Sequence, residues 1–142
     1  GCKWGGYCSD CTRTFLFGDD KKHEQFKSVY AKVLEAHMAA KRNITSGMTG
    51  READETARSA LRGYGLDKFF THSLGHGIGI NIHEFPYLAP RRDNVLRDGM
   101  VFSDEPGVYF EGDFGIRIED SVTLSEGRVV SLTNTDKQLL IL

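Results

Sequence analysis

Residues 101–121, VFSDEPGVYFEGDFGIRIEDS, are arranged about a single glycine. Glu105 and Glu119 lie equally far from residue 112, the Gly of Glu111-Gly112-Asp113, which is the best turn signal in the region. A hairpin folded there places Glu105 opposite Glu119, with Cβ atoms about 4.5–5.5 Å apart. Two carboxylates so close repel each other. Their neighbours Val101, Phe102, Ile116 and Ile118 are apolar, which argues against full exposure to water. A divalent cation between the carboxylates is the most economical remedy. A turn displaced by one residue would undo the pairing and leave both side chains facing solvent.

The stretch THSLGHGIGINIHEFP, residues 71–86, holds three of the five histidines, His72, His76 and His83. Imidazole at neutral pH serves both as metal ligand and as proton carrier. Glycines at 75, 77 and 79 break strict strand alternation. His76 and His83 differ by an odd number, so one unbroken strand would put them on opposite faces. A bulge or bend at Gly77 or Gly79 must bring them together.

Near the start, GYCSDCTRTF sets Cys8 and Cys11 in C-x-x-C spacing around Asp10. Residues 7–17 read as a strand, which puts Cys8, Asp10, Thr12 and Thr14 on one face and Cys11, Arg13 and Phe15 on the other. The two thiols then point apart. No second C-x-x-C completes a zinc site, and small buried hydrophobes describe these cysteines better. Asp10 is the residue of interest.

Between these segments the pattern is helical. Phe26, Val29, Tyr30, Val33 and His37 keep one face of a helix that runs to about Arg42, with Asp19 or Asp20 as its N-cap. Thr49-Gly-Arg-Glu52 forms a capping box for a second helix, with Ala53, Ala57, Ala60 and Leu61 inward and Gly63 and Gly65 at its end. Later strands are expected at residues 100–103, 108–110, 115–124 and 139–142. Strands that follow one another so closely imply an α+β fold with a largely antiparallel sheet.

The 142 residues suit one domain, and the net charge of −2 offers no electrostatic reason to expect nucleic acid or an anionic membrane. No apolar run approaches the roughly 20 residues of a membrane span, and no signal-peptide pattern is present. Three cysteines within the first eleven residues leave one unpaired in any disulfide scheme, and a reducing cytoplasm is the simpler setting. The opening Gly1-Cys2-Lys3-Trp4 has the look of a cut end.

Asp10, His76, Glu105 and Glu119 together make a hard donor set suited to Mn²⁺, Co²⁺ or Zn²⁺. Bridging carboxylates suit two metals about 3.5–4 Å apart that activate one water for hydrolysis. The segments GYCSDCTRTF, HSLGHGIGINIHEFP, SDEPGVYF and GIRIEDS resemble, in order and spacing, the motifs of the pita-bread metallopeptidases: prolidase, aminopeptidase P and methionine aminopeptidase. The likeness is greatest to the proline-directed Xaa-Pro peptidases.

The resemblance implies that residues 1–142 are the C-terminal portion of a catalytic domain. They would form the second half of a curved antiparallel sheet flanked by helices, plus the last strand of the first half. It implies metal ligands at Asp10, His76, Glu105 and Glu119, with Asp10 and Glu119 bridging two divalent ions, Mn²⁺ first and Co²⁺ or Zn²⁺ as alternatives. A fifth ligand, an aspartate, would fall upstream of Gly1. Glu105 would also shuttle the proton of the attacking water. His83 would contact the substrate carbonyl, His72 would line the substrate site, Arg117 would support the ligands, and Asp120 would stand behind them. The substrate would be a proline-containing peptide cut at the bond preceding proline, and a homodimer is the usual assembly of such relatives. Asp104 departs from the pattern, which usually has an apolar residue there; as a strand neighbour of Glu105 it should point away from the metals. Three other readings stand beside this one: a binding module of the same fold that has lost its metals, an inactive fragment, and a hydrolase for another amide.

Overall fold

Every strand pair between residues 101 and 123 keeps the register centred on Gly112. In the computed structural model, which describes residues 1–18 and 23–142, β5 (Val101–Asp104) pairs antiparallel with β8 (Asp120–Ser125), and β6 (Gly107–Tyr109) with β7 (Gly115–Arg117). Val101 faces Thr123, Asp104 faces Asp120, and Gly107 faces Arg117. Gly112 turns at φ +76°, a conformation that favours glycine.

The expected strand over 115–124 is interrupted at Ile118 and Glu119, opposite Glu105 and Pro106. Proline carries no amide hydrogen. The amides beside it turn to other chain segments: Glu105 N–H donates to the Leu74 carbonyl at 2.9 Å, and Glu119 N–H to the Thr12 carbonyl at 3.1 Å. The two glutamates therefore stand where four stretches of chain meet.

The main sheet has the order β4-β3-β5-β8-β9 and is antiparallel throughout, with β3 at Gly75–Gly77, β4 at Glu84–Leu88 and β9 at Arg128–Ser131. Helices α1 (Glu24–Asn43) and α2 (Gly50–Arg62) pack on each other and on this sheet. The core joins Val33, Ala36 and Leu61 of the helices to Phe102, Val122 and Leu124 of the sheet. This is the α+β architecture that the pattern implied. No helix among the described residues is long and apolar enough to cross a membrane.

The helical periodicities hold. Phe26, Val29, Tyr30, Val33 and His37 are all buried on α1. Thr49 caps α2 through a reciprocal box: Glu52 N–H donates to Thr49 Oγ1 at 3.2 Å, and Thr49 N–H to Glu52 Oε2 at 2.7 Å. Ala60 is only half-buried. The N-cap expected at Asp19 or Asp20 lies outside the described residues.

Both end segments are less regular than expected. Residues 7–17 do not form one strand: Tyr7–Cys8 (β2) pairs with Lys3–Trp4 (β1), and only single bridges follow, Thr12 to Glu119 and Leu16 to Ile141. Residues 139–142 make that one parallel bridge and no strand of their own. Each segment has too few neighbours in register to build a ladder. The alternation of faces survives only in part: Cys8, Asp10, Thr12 and Thr14 are half-buried and Cys11 and Phe15 exposed, but Arg13, expected on the outer face, is half-buried as well. Nor are the cysteines the small buried hydrophobes expected, since Cys8 is half-buried and Cys11 exposed.

Candidate metal centre

His76 is set by the backbone around it. Its N–H donates to Ser103 Oγ at 3.0 Å, and its Nδ1 lies 3.1 Å from the Gly77 carbonyl, an acceptor only. A proton on Nδ1 satisfies that carbonyl and leaves Nε2 free to act as a ligand. The β3–β4 register shifts between His76 and Gly77. Gly77 is needed there, because a Cβ would come within 2.2 Å of the Phe85 carbonyl oxygen. The irregular turn that follows brings His83 back to His76, with ring centroids 4.0 Å apart. The expected bulge thus does what the odd spacing demanded.

Nε2 of His76 lies 3.3 Å from Glu105 Oε1 and 3.8 Å from Asp10 Oδ2. One ligand atom each from Asp10, His76 and Glu119 falls within 4.8 Å of the others. Glu105 joins the group through His76, and Ser103 Oγ donates to its Oε1 at 3.0 Å. Thr12 Oγ1 donates to Glu119 Oε2 and accepts from Arg117 Nε at 3.0 Å. Arg117 Nε is itself 3.8 Å from Glu119. Three acidic side chains from three chain segments therefore converge on one imidazole.

These contacts set the protonation states. Burial raises the Glu119 carboxyl above its usual value; the Thr12 hydroxyl pulls it down, and Glu105 and Asp10 add to the rise. Burial acts on Glu105 the same way, but the contact with His76 outweighs it and holds that carboxyl below its usual value. His76 is raised although burial alone would lower it, because Glu105 and the Gly77 carbonyl favour its charged form.

The sequence profile of metallopeptidase family M24 matches residues 1–126. The chain belongs to metallopeptidase family M24. Its M24 relatives include an Xaa-Pro dipeptidase of Pyrococcus furiosus, 41% identical over 140 residues, which are 99% of this chain and 40% of that protein. A prolidase of Thermococcus sibiricus has a solved structure that superposes with a TM-score of 0.94 at 44% identity, covering 100% of this chain and 38% of that one. An X-Pro aminopeptidase of Thermotoga maritima gives 0.91 at 41% identity, covering 96% and 38%. The chain thus spans about 40% of the length of the curated relative it matches.

The donor set of the M24 chain fits a divalent cation. Oxygen and imidazole nitrogen are hard or borderline donors. Glu119 Oε1 is buried and makes no hydrogen bond among the described residues, the condition of an oxygen awaiting a cation. The three thiols are all free, and none falls in this group.

The remaining sequence candidates lie around it. His72 stands farther out, with Nε2 3.0 Å from the Tyr109 hydroxyl. Asp120 lies away from the donor group, held by Arg13 at 2.7 Å and Lys137 at 2.8 Å. Thr12, Ser103 and Tyr109 were not singled out in the sequence. Thr12 and Ser103 follow from strand alternation, each two residues from a candidate ligand; nothing local marks Tyr109.

Proposed function

We propose that this chain supplies most of the metal site of a peptidase that hydrolyses the bond preceding proline, and that it is the C-terminal portion of that enzyme's catalytic domain. Asp10, His76, Glu105 and Glu119 would hold two divalent ions, Mn²⁺ in preference to Co²⁺ or Zn²⁺. Bound there, the ions would lower the pKa of a water and polarise the scissile carbonyl. The observation that carries the reading is Glu119 Oε1, buried without a partner among the described residues and amid converging donors. The names of the M24 relatives supply the substrate class.

The protein's own groups have distinct tasks. Glu105, bonded by Ser103 and touching His76, takes the proton of the attacking water and passes it to the leaving amine. His83, its ring tilted against that of His76, donates to the carbonyl oxygen as it gains charge. Arg117 and Thr12 fix the orientation of Glu119. His72 faces the peptide. A homodimer and a cytoplasmic setting complete the proposal, the latter supported by three free thiols.

A second reading has support of its own, since one structural relative is named an X-Pro aminopeptidase. The test is a panel of Xaa-Pro dipeptides, Xaa-Pro-Xaa peptides and Met-Xaa peptides offered to the intact protein, with Mn²⁺ and with chelator. Cleavage of the first class alone marks a dipeptidase; cleavage of the longer proline peptides marks an aminopeptidase. Full activity in Glu119→Ala overturns the metal mechanism, and no metal-dependent cleavage of proline peptides points to a binding module.

A further inference from the structure

Helix α2 reaches the substrate side of this site through one buried ion pair. Asp54 is 1% exposed. Its carboxylate accepts from Arg58 Nε at 2.7 Å and Nη2 at 3.1 Å, and from the Leu74 amide at 2.9 Å. Arg58 has donors left over. Nη1 donates to the Phe70 carbonyl at 2.9 Å, and Nη2 to the His72 carbonyl at 3.0 Å. The pair thus grips residues 70, 72 and 74, every second residue of the segment leading into β3.

The grip extends to the ring of His72. The Arg58 guanidinium lies over the Phe70 ring, 4.3 Å from its centroid, and the His72 ring meets Phe70 edge-on at 5.0 Å. His72 Nδ1 lies 2.8 Å from the Ser73 carbonyl, which can only accept. The proton therefore sits on Nδ1, and Nε2 accepts from the Tyr109 hydroxyl. Lysine could not reproduce the arrangement, because it lacks the planar fork that serves a carboxylate and two carbonyls at once.

We propose that Arg58 is a positioning residue. Anchored on Asp54, it holds the Phe70 and His72 carbonyls so that the His72 imidazole meets Tyr109 and faces the peptide. The assignment of His72 to the substrate rests on the function proposed above; the grip itself does not.

The test uses Arg58→Lys in the intact protein, alone and combined with His72→Ala. Lysine keeps a charge beside Asp54, and a thermal melt confirms folding. KM for an Xaa-Pro substrate is expected to rise roughly tenfold, the scale of one misplaced hydrogen bond, with kcat and Mn²⁺ affinity nearly unchanged. In the His72→Ala background the same change is expected to do nothing further. Asp54→Asn, which loosens Arg58 but keeps an acceptor for the Leu74 amide, should act in the same direction if Arg58→Lys does not fold. Equal effects with and without His72, or a parallel loss of metal affinity, would reduce Arg58 to a strut. The nuclear magnetic resonance signals of the His72 ring, assigned by their loss in His72→Ala, need no activity. They should move in Arg58→Lys, and unmoved signals overturn the inference even where peptides are cut. Moved signals in a protein that cuts no proline peptide uphold the grip and sink the functional reading instead.

Discussion

Asp104 lies directly opposite Asp120 across β5 and β8, one residue from Glu105 and Glu119 respectively. Both are essentially unexposed. His37 of α1 stands between them, Nδ1 3.2 Å from Asp104 and Nε2 3.5 Å from Asp120. The register that opposes the candidate ligands thus opposes a second carboxylate pair beside them, with a histidine where the first pair would take a cation. Asp120 has Arg13 and Lys137 as well. For Asp104, His37 is the one ion-pair partner among the described residues.

Removing His37 should therefore be costly. His37→Leu leaves two buried carboxylates facing each other and is expected to destabilise the fold by about 3 kcal/mol, the lower end for a broken buried pair. The double variant His37→Leu, Asp104→Leu should recover most of the loss, because apolar side chains can replace a buried pair. Urea unfolding of the three proteins measures both effects.

The two aspartates pull stability in opposite directions with pH. Burial raises Asp104 from 3.8 to about 7, against the pull of His37. The folded chain holds that proton more tightly than the unfolded one, so this contribution is present below pH 3.8 and lost as pH rises through about 7. Burial would raise Asp120 too, but His37, Lys137 and Arg13 hold it well below the usual 3.8. Its contribution is present above 3.8 and lost in stronger acid. With chelator present, Asp104→Asn should flatten the decline in unfolding midpoint between pH 4 and 7, whereas Asp120→Asn should weaken the fold at neutral pH and flatten the acid limb.

Metal should stabilise the fold and Glu119 should be required. Mn²⁺ at about one hundred times its dissociation constant is expected to add roughly 2.7 kcal/mol to the unfolding free energy. Glu119→Ala should abolish that increment in a thermal or urea titration. An unchanged metal response in this variant would remove Glu119 from the ligand set.

Backbone contact beside the site can be probed without touching a charge. A Cβ on Gly75 would lie 1.9 Å from the Ser103 carbonyl oxygen, between β3 and β5. Gly75→Ala must push apart the strands that carry His76 and the Ser103 contact to Glu105. The expected cost is about 1–3 kcal/mol, seen as a melting point lower by several degrees.

Much of the site was readable from local rules. Strand period and one turn glycine are properties of short stretches, so the midpoint at residue 112 predicted the register of seven observed residue pairs. The odd spacing of His76 and His83 required an irregularity, and one exists. Helix periodicity marked His37 as inward on α1. It could not say that the ring would meet Asp104 and Asp120, since a period gives a side chain's direction relative to its own element and nothing of the element opposite. Likewise, alternation turned Asp104 away from Glu105 but left its burial and partner unknown.

The amino-acid order by itself determined the helices and the hairpin register, because each depends on φ/ψ preferences and spacing within short stretches, and it named the candidate donor residues. Only the tertiary structure decided where the ladder breaks, which carboxylate oxygen goes without a partner, and how Asp54 and Arg58 reach His72. Most of those contacts join amides and charges 12 to 107 residues apart in the chain, and such pairings are selected by the packing of the whole core.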